Sequence, residues 1–228
     1  MRGAWLIPVA VVIACASRPP RVPQASALAC GAGASEVTRT TVRGIETWCE
    51  DDRGLRAGPF ERRFPGGQIA ERSHYAAGVL DGDHASFYAS GAPHMRGRYV
   101  RGLRDGAWRA WHENGKPWLE VTYAGGAPTG TWREYDYTGE KMFVGTYRDG
   151  RLEGAWQAFR GGAVAATGSS AGGRLEGRVV DQAPSGATCE IGYRDNRLHG
   201  PATCRDKDGK VTYSADYVDG VEQGSGAR

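Results

Sequence analysis

Lysine is nearly missing from this chain. Lys116, Lys141, Lys207 and Lys210 are the only four among 29 basic residues, a bias of coding rather than of function. Proline has no excess, at 11 of 228 residues, while glycine reaches 35. Glycine without proline excludes a collagen or a low-complexity linker. The net charge of +3 is too small to argue for nucleic acid. Beyond the first residues there is no long apolar run, and the mean hydropathy is −0.51, which excludes a multipass membrane protein. Disorder is excluded by what is present: 7 Trp, 10 Tyr and 5 Phe.

The first seventeen residues read MRGAWLIPVAVVIACAS. Arg2 precedes an apolar core from Ala4 to Ala14, too short to span a bilayer and suited to an export signal. Val12-Ile13-Ala14-Cys15 resembles the lipobox of bacterial lipoproteins, in which the cysteine is acylated and becomes the new N-terminus. Residues 1–16 are therefore expected to be a signal peptide, with Cys15 the lipidation site. Ala14-Cys15-Ala16 also satisfies ordinary signal peptidase, which makes a secreted protein the second expectation. Residues 17–29 carry three prolines and no apolar periodicity, and read as an extended tether.

Four further cysteines remain: Cys30, Cys49, Cys189 and Cys204. An even number in an exported chain implies disulfides, and four allow three pairings. Sequence proximity favours Cys30–Cys49 and Cys189–Cys204; four free buried thiols are the alternative. Neither pair is a Cys-x-x-Cys and no histidine stands at ligand spacing, which argues against zinc.

From residue 58 the chain repeats itself. A first glycine recurs at 58, 82, 106, 130, 154, 177, 200 and 224, with spacings of 23 or 24. A second recurs at 67, 91, 115, 139, 162, 186 and 209. A third marker falls at Gly78, Gly102, Gly126, Gly150, Gly173, Asn196 and Gly220. Asn is the usual substitute for Gly where φ is positive, so the exception supports the pattern. A tyrosine stands three residues before this marker in every copy except one, which has Ser170. Seven registered copies mean a repeat array.

Each copy splits around a dipeptide such as Asn114-Gly115, the strongest two-residue hairpin signal, for which a type I′ turn is expected. The second segment alternates: Phe143, Gly145 and Tyr147 face one way, Val144, Thr146 and Arg148 the other. In the first segment aromatics are spaced by three, as in Trp108 and Trp111, Trp132 and Tyr135, Trp156 and Phe159. Either a bulge intervenes or both faces carry aromatics. A segment of about seven residues is too short for a helix.

The expected fold is all-β: an elongated single-layer antiparallel sheet of about seven hairpins over residues 58–224. At roughly 4.8 Å per strand it extends about 65 Å. Such a sheet buries little, so rows of Tyr and Trp stacked on their own equivalents are expected to hold it. Cys189 and Cys204 lie symmetrically about Asn196-Arg197 and oppose each other across two strands. Residues 30–57 are read as a half repeat closed by Cys30–Cys49, with both disulfides as end caps and residues 225–228 as a tail.

The units GAWRAWHENGKPWLEVTYAGGAPTG and GTWREYDYTGEKMFVGTYRDGRLEG resemble MORN repeats, and more closely the bacterial variant in YwqK-family antitoxins. The resemblance covers residues 58–224. It implies a β-hairpin array used for protein or lipid contacts, with no catalytic residues and no cofactor. The antitoxin label implies an intracellular partner, which the export signal contradicts.

The chemistry-bearing residues do not assemble into a motif. His74, His84 and His94 are ten apart but fall at different repeat phases. There is no Gly-x-Ser-x-Gly, His-Glu-x-x-His or P-loop. Phe87, Trp108, Trp111, Trp132, Tyr135, Trp156 and Phe159 are the candidate binding strip, accompanied by Arg98, Arg101, Arg104, Arg109 and Arg133. The expected protein is a monomeric, non-catalytic scaffold, lipid-anchored in the bacterial envelope and offering its sheet to a protein partner. Neutralisation of a toxin, or binding of envelope glycan or anionic lipid, are the alternatives.

Overall fold

The computed structural model describes residues 27–224. The signal peptide, Cys15, most of the tether and the tail lie outside the described residues. Every regular element is a strand, and consecutive strands pair antiparallel into one open sheet. No pairing joins Ala34–Thr41 at one end to Val211–Val218 at the other.

The sheet is a meander of hairpins. Seven fall where the repeat predicts them. Among them are Gly82–Phe87 with Pro93–Val100, Leu103–Trp111 with Pro117–Ala124, and Ala127–Tyr135 with Lys141–Arg148. An eighth precedes them. Ala34–Thr41 and Gly44–Asp51 pair over their full length, so the region expected to be half a repeat is a whole hairpin. It was hidden because it lacks the leading glycine and turns through Val42-Arg43 rather than through the repeat's dipeptide.

The dipeptide turn is not the type I′ turn that was expected there. At Asn114-Gly115 only the glycine has positive φ (+82°). The His112 amide donates to Lys116 O and the Gly115 amide to His112 O, both at 2.9 Å. This is a type I turn closed by a left-handed glycine. Three other copies place Ser90, Thr138 or Ser185 before that glycine, residues that resist positive φ. The type I′ turns sit at the opposite edge, after the tyrosine, where Arg101 and Gly102 have φ of 50° and 81°. There the Gly102 amide also donates to Leu80 O (2.7 Å), and Gly126 repeats the bond to Arg104 O (2.9 Å). Asn196 makes the same bond to Leu175 O (3.1 Å). The marker thus joins each copy to the one before it.

Of the two explanations for the spacing of three between aromatics, the two-face one holds. A bulge does occur, but on the neighbouring strand: Ala110 faces Leu119 and Trp111 faces Pro117, which leaves Trp118 as the extra residue. Met142 and His94 occupy the same position in the adjacent copies. The aromatics themselves stay in an ordinary strand and point to opposite faces.

One face is aromatic. Trp108, Val121 and Tyr123 are its centre, with Met95, Tyr99, Leu119 and Trp132 packed around them. Rings of equivalent position stack in two places, His84 on Trp108 at 5.8 Å and His94 on Trp118 at 6.3 Å. Three first-strand rings also meet the tyrosine of their own copy: Phe60–Tyr75 at 5.6 Å, His84–Tyr99 at 5.4 Å and Trp132–Tyr147 at 5.1 Å. Trp108 bridges copies by touching Tyr99 and Tyr123. Its indole lies over Gly97, where any side chain would collide with it.

Cys30 pairs with Cys49, and Cys189 with Cys204. The first ties the segment before Ala34 back to the second strand and closes that end. The second links directly opposed residues of Thr188–Arg194 and Arg197–Arg205. It lies one strand in from the final strand, so it braces the end rather than capping it.

Candidate functional site

The strip of seven aromatics divides between the two faces. Trp108 is 2% exposed and belongs to the packing of the aromatic face. Trp132 and Trp156 share that face: Trp132 lies against the Trp108 cluster and Trp156 stacks near Phe143. Phe87, Trp111, Tyr135 and Phe159 alternate to the other face. There Arg96 lies over the Trp111 ring at 5.9 Å. The Tyr135 hydroxyl donates to Glu120 Oε2 at 3.2 Å, and burial together with the Glu120 charge raises the tyrosine above its ordinary range. A single seven-membered stripe does not exist, because three is an odd number of residues along a strand.

The most exposed aromatic cluster was not among those seven. It sits at the dipeptide-turn edge of the third and fourth copies. Trp118 is 39% exposed, Tyr137 60% and the neighbouring Met142 49%. His112 lies between the two rings, 6.3 Å from Trp118 and 5.4 Å from Tyr137. His94 stacks parallel to Trp118 at 6.3 Å and meets Tyr88 at 4.8 Å. The bulge brings Trp118 and Met142 here, because the extra residue has no opposite partner to pack against.

The edge is held stiffly by contacts between copies. The Tyr88 hydroxyl donates to Trp111 O (2.8 Å), His112 Nε2 lies 3.1 Å from Tyr135 O, and Asn114 Nδ2 donates to Tyr137 O (2.7 Å). Lys116 adds a bond to Thr138 O. In the next copy Asp136 accepts from the Thr138 hydroxyl and from two turn amides. Those bonds hold its carboxyl below the usual range.

Histidines play structural parts elsewhere. His84 takes the place of the first-strand tryptophan, stacked at 5.8 Å on Trp108 and 2.9 Å from the Ser73 hydroxyl. Burial pushes its pKa below 6.5 against the opposing pull of Glu71. Among the described residues no group of three His, Cys, Asp or Glu side chains is placed to hold a metal.

The opposite face carries charge. Of the arginines noted in the sequence, Arg104 instead lies on the aromatic face, 4.6 Å over Trp108 and 5.4 Å over Tyr123. Arg133 pairs with Glu120 at 3.8 Å and Arg98 with Asp83 at 3.9 Å. Arg101 occupies the type I′ turn.

Residues 104–124 match the family model described as a MORN repeat variant. The matched stretch is the third copy, which carries the Trp108 core and Trp118. The matched hairpin is a MORN-like repeat, and the other copies reproduce it at the same spacing. No curated protein matches the chain. The match supports a binding or scaffold role, and the two disulfides point to an oxidising compartment.

Proposed function

We propose that this protein is a non-catalytic scaffold, anchored in the bacterial envelope through Cys15, that docks a protein partner on the edge formed by Trp118, Tyr137 and Met142. The observation behind this reading is the exposed apolar cluster on an otherwise polar turn edge. Large rings on a stiff backbone cost little entropy to immobilise and are frequent anchors in interfaces. The export-like N-terminus and the disulfides support the address.

The test has two arms. Intact mass of the protein from its own host should show a diacyl or triacyl increment beginning at Cys15, in the membrane fraction. An unprocessed cytosolic chain with free thiols would overturn the address and favour a toxin-neutralising role inside the cell. Cross-linking in the envelope should recover a protein partner, and that product should disappear with Trp118→Ala plus Met142→Ala while melting is unchanged. Capture by glycan or by liposomes alone would replace the protein partner with one of those ligands.

A further inference from the structure

On the face opposite the aromatic core, one row of side chains runs straight across the strands. Glu61 faces Arg72, Arg72 faces Ala85, Ala85 faces Arg96, Arg96 faces Arg109, and Arg109 faces Glu120. Four successive strands therefore present Arg, Ala, Arg and Arg at one level. Arg96 and Arg109 are directly opposed like charges, an arrangement that destabilises an antiparallel pair. Among the described residues neither makes an ion pair or a side-chain hydrogen bond. Their neighbours are already engaged: Glu61 holds Arg72 at 3.1 Å and Arg63 at 2.5 Å, and Glu120 is shared by Arg133 and Tyr135. Beside the row lies a trough of about 410 Å³, floored by Ala85 and Gly97 and flanked by Arg72, His74, Asp83 and Arg96.

We propose that this row is a recognition site for carboxylates of an acidic protein segment. It is a second contact surface, separate from the Trp118 edge and independent of the reading above. Two opposed guanidinium forks present donors in the geometry that carboxylates accept bidentately. Trp111 lies beneath Arg96, which limits where that head group points. The short trough at Ala85 has room for one side chain of the incoming segment. The chemistry favours discrete carboxylates over a membrane. The positive row is bounded by Glu61 and Glu120 and flanked by Asp83, so an extended anionic surface meets repulsion on three sides.

The test uses the mature disulfide-bonded protein and a hexaglutamate peptide, titrated calorimetrically at low and at physiological salt. Binding should weaken with salt. Arg96→Gln and Arg109→Gln should each weaken it about fivefold, on the scale of an exposed pair. The melting midpoint of Arg109→Gln should hold or rise, because a like-charge pair has been relieved. Trp118→Ala should leave peptide binding intact, so failure here is distinct from failure of the edge reading. No peptide binding, binding as tight as the unsubstituted protein's by both arginine variants, or loss accompanied by a lower midpoint would each overturn the proposal. Inorganic phosphate binding as tightly as the peptide would overturn it in favour of a free-anion site. Arginine-dependent capture by phosphatidylglycerol vesicles, stronger than the peptide, would overturn it in favour of a lipid surface.

Discussion

Replacing Gly97 by alanine adds a single methyl at a place where the aromatic face has no room. A Cβ built there stands 2.2 Å from Trp108 Cδ2, 2.3 Å from Cε2 and 2.7 Å from Cγ. The backbone at Gly97 is not left-handed, so the cost is wholly steric. The indole cannot swing aside, because His84, Tyr99 and Tyr123 pack around it and its Nε1 donates to Arg98 O at 3.2 Å. Overpacking of this kind costs roughly 1–3 kcal/mol, and so rigid a site belongs at about 2–3 kcal/mol. In a chain of this size that lowers the melting midpoint by roughly 5–10 °C. Trp108→Ala alone should cost about 3–5 kcal/mol. In the Trp108→Ala background Gly97→Ala should become neutral, or gain about 0.5–1 kcal/mol because alanine loses less backbone entropy. Urea unfolding followed by far-ultraviolet circular dichroism measures all four corners of the cycle. Equal cost of Gly97→Ala in both backgrounds would refute the packing argument. Gly115→Ala is a useful contrast: it meets open space at φ +82° and should cost about 1–2 kcal/mol from conformation alone.

Three further outcomes are expected. His84 is held neutral by burial, so its folded pKa lies below its unfolded one. The unfolded chain then binds the extra proton first, and stability is full above pH 6.5 and declines as pH falls through the folded value. Titration of the melting midpoint should show this decline, and His84→Phe should remove it; an unchanged slope in that variant would refute the assignment to His84. Removing the Cys189–Cys204 bond, which closes a separation of 15 residues, should cost about 3 kcal/mol. Limited proteolysis should then nick the last strands, while tryptophan fluorescence stays constant because Trp156 is the last tryptophan in the chain. Trp118→Ala should change stability by less than about 0.5 kcal/mol, the range of surface substitutions, and a larger loss would place Trp118 in the structural core.

Much of the architecture was legible because it is local. Glycine spacing, the alternation in Phe143 to Arg148 and the tyrosine before each third marker all report on a few consecutive residues. A hairpin array uses little else. Turn type was less legible. Asn-Gly fits both a type I′ turn and a type I turn with a left-handed glycine, and the choice was made by the bulge beside it. The hairpin at Ala34–Asp51 was hidden because it forms the same pairs without the repeat's leading glycine or its dipeptide turn.

By itself the sequence determined the repeat length, the strands, the neighbouring cysteine pairs and an array that continues in one direction. Only the tertiary structure decided which residues meet. A bulge of one residue moved Trp118 and Met142 to the exposed edge, and alternation divided one apparent aromatic stripe between two faces. Register between copies set Arg96 opposite Arg109 and Trp108 over Gly97. The physical reason is that side-chain direction in a strand has a period of two, so each single-residue slip between strands changes every later contact, while the sequence pattern that encodes the strands stays the same.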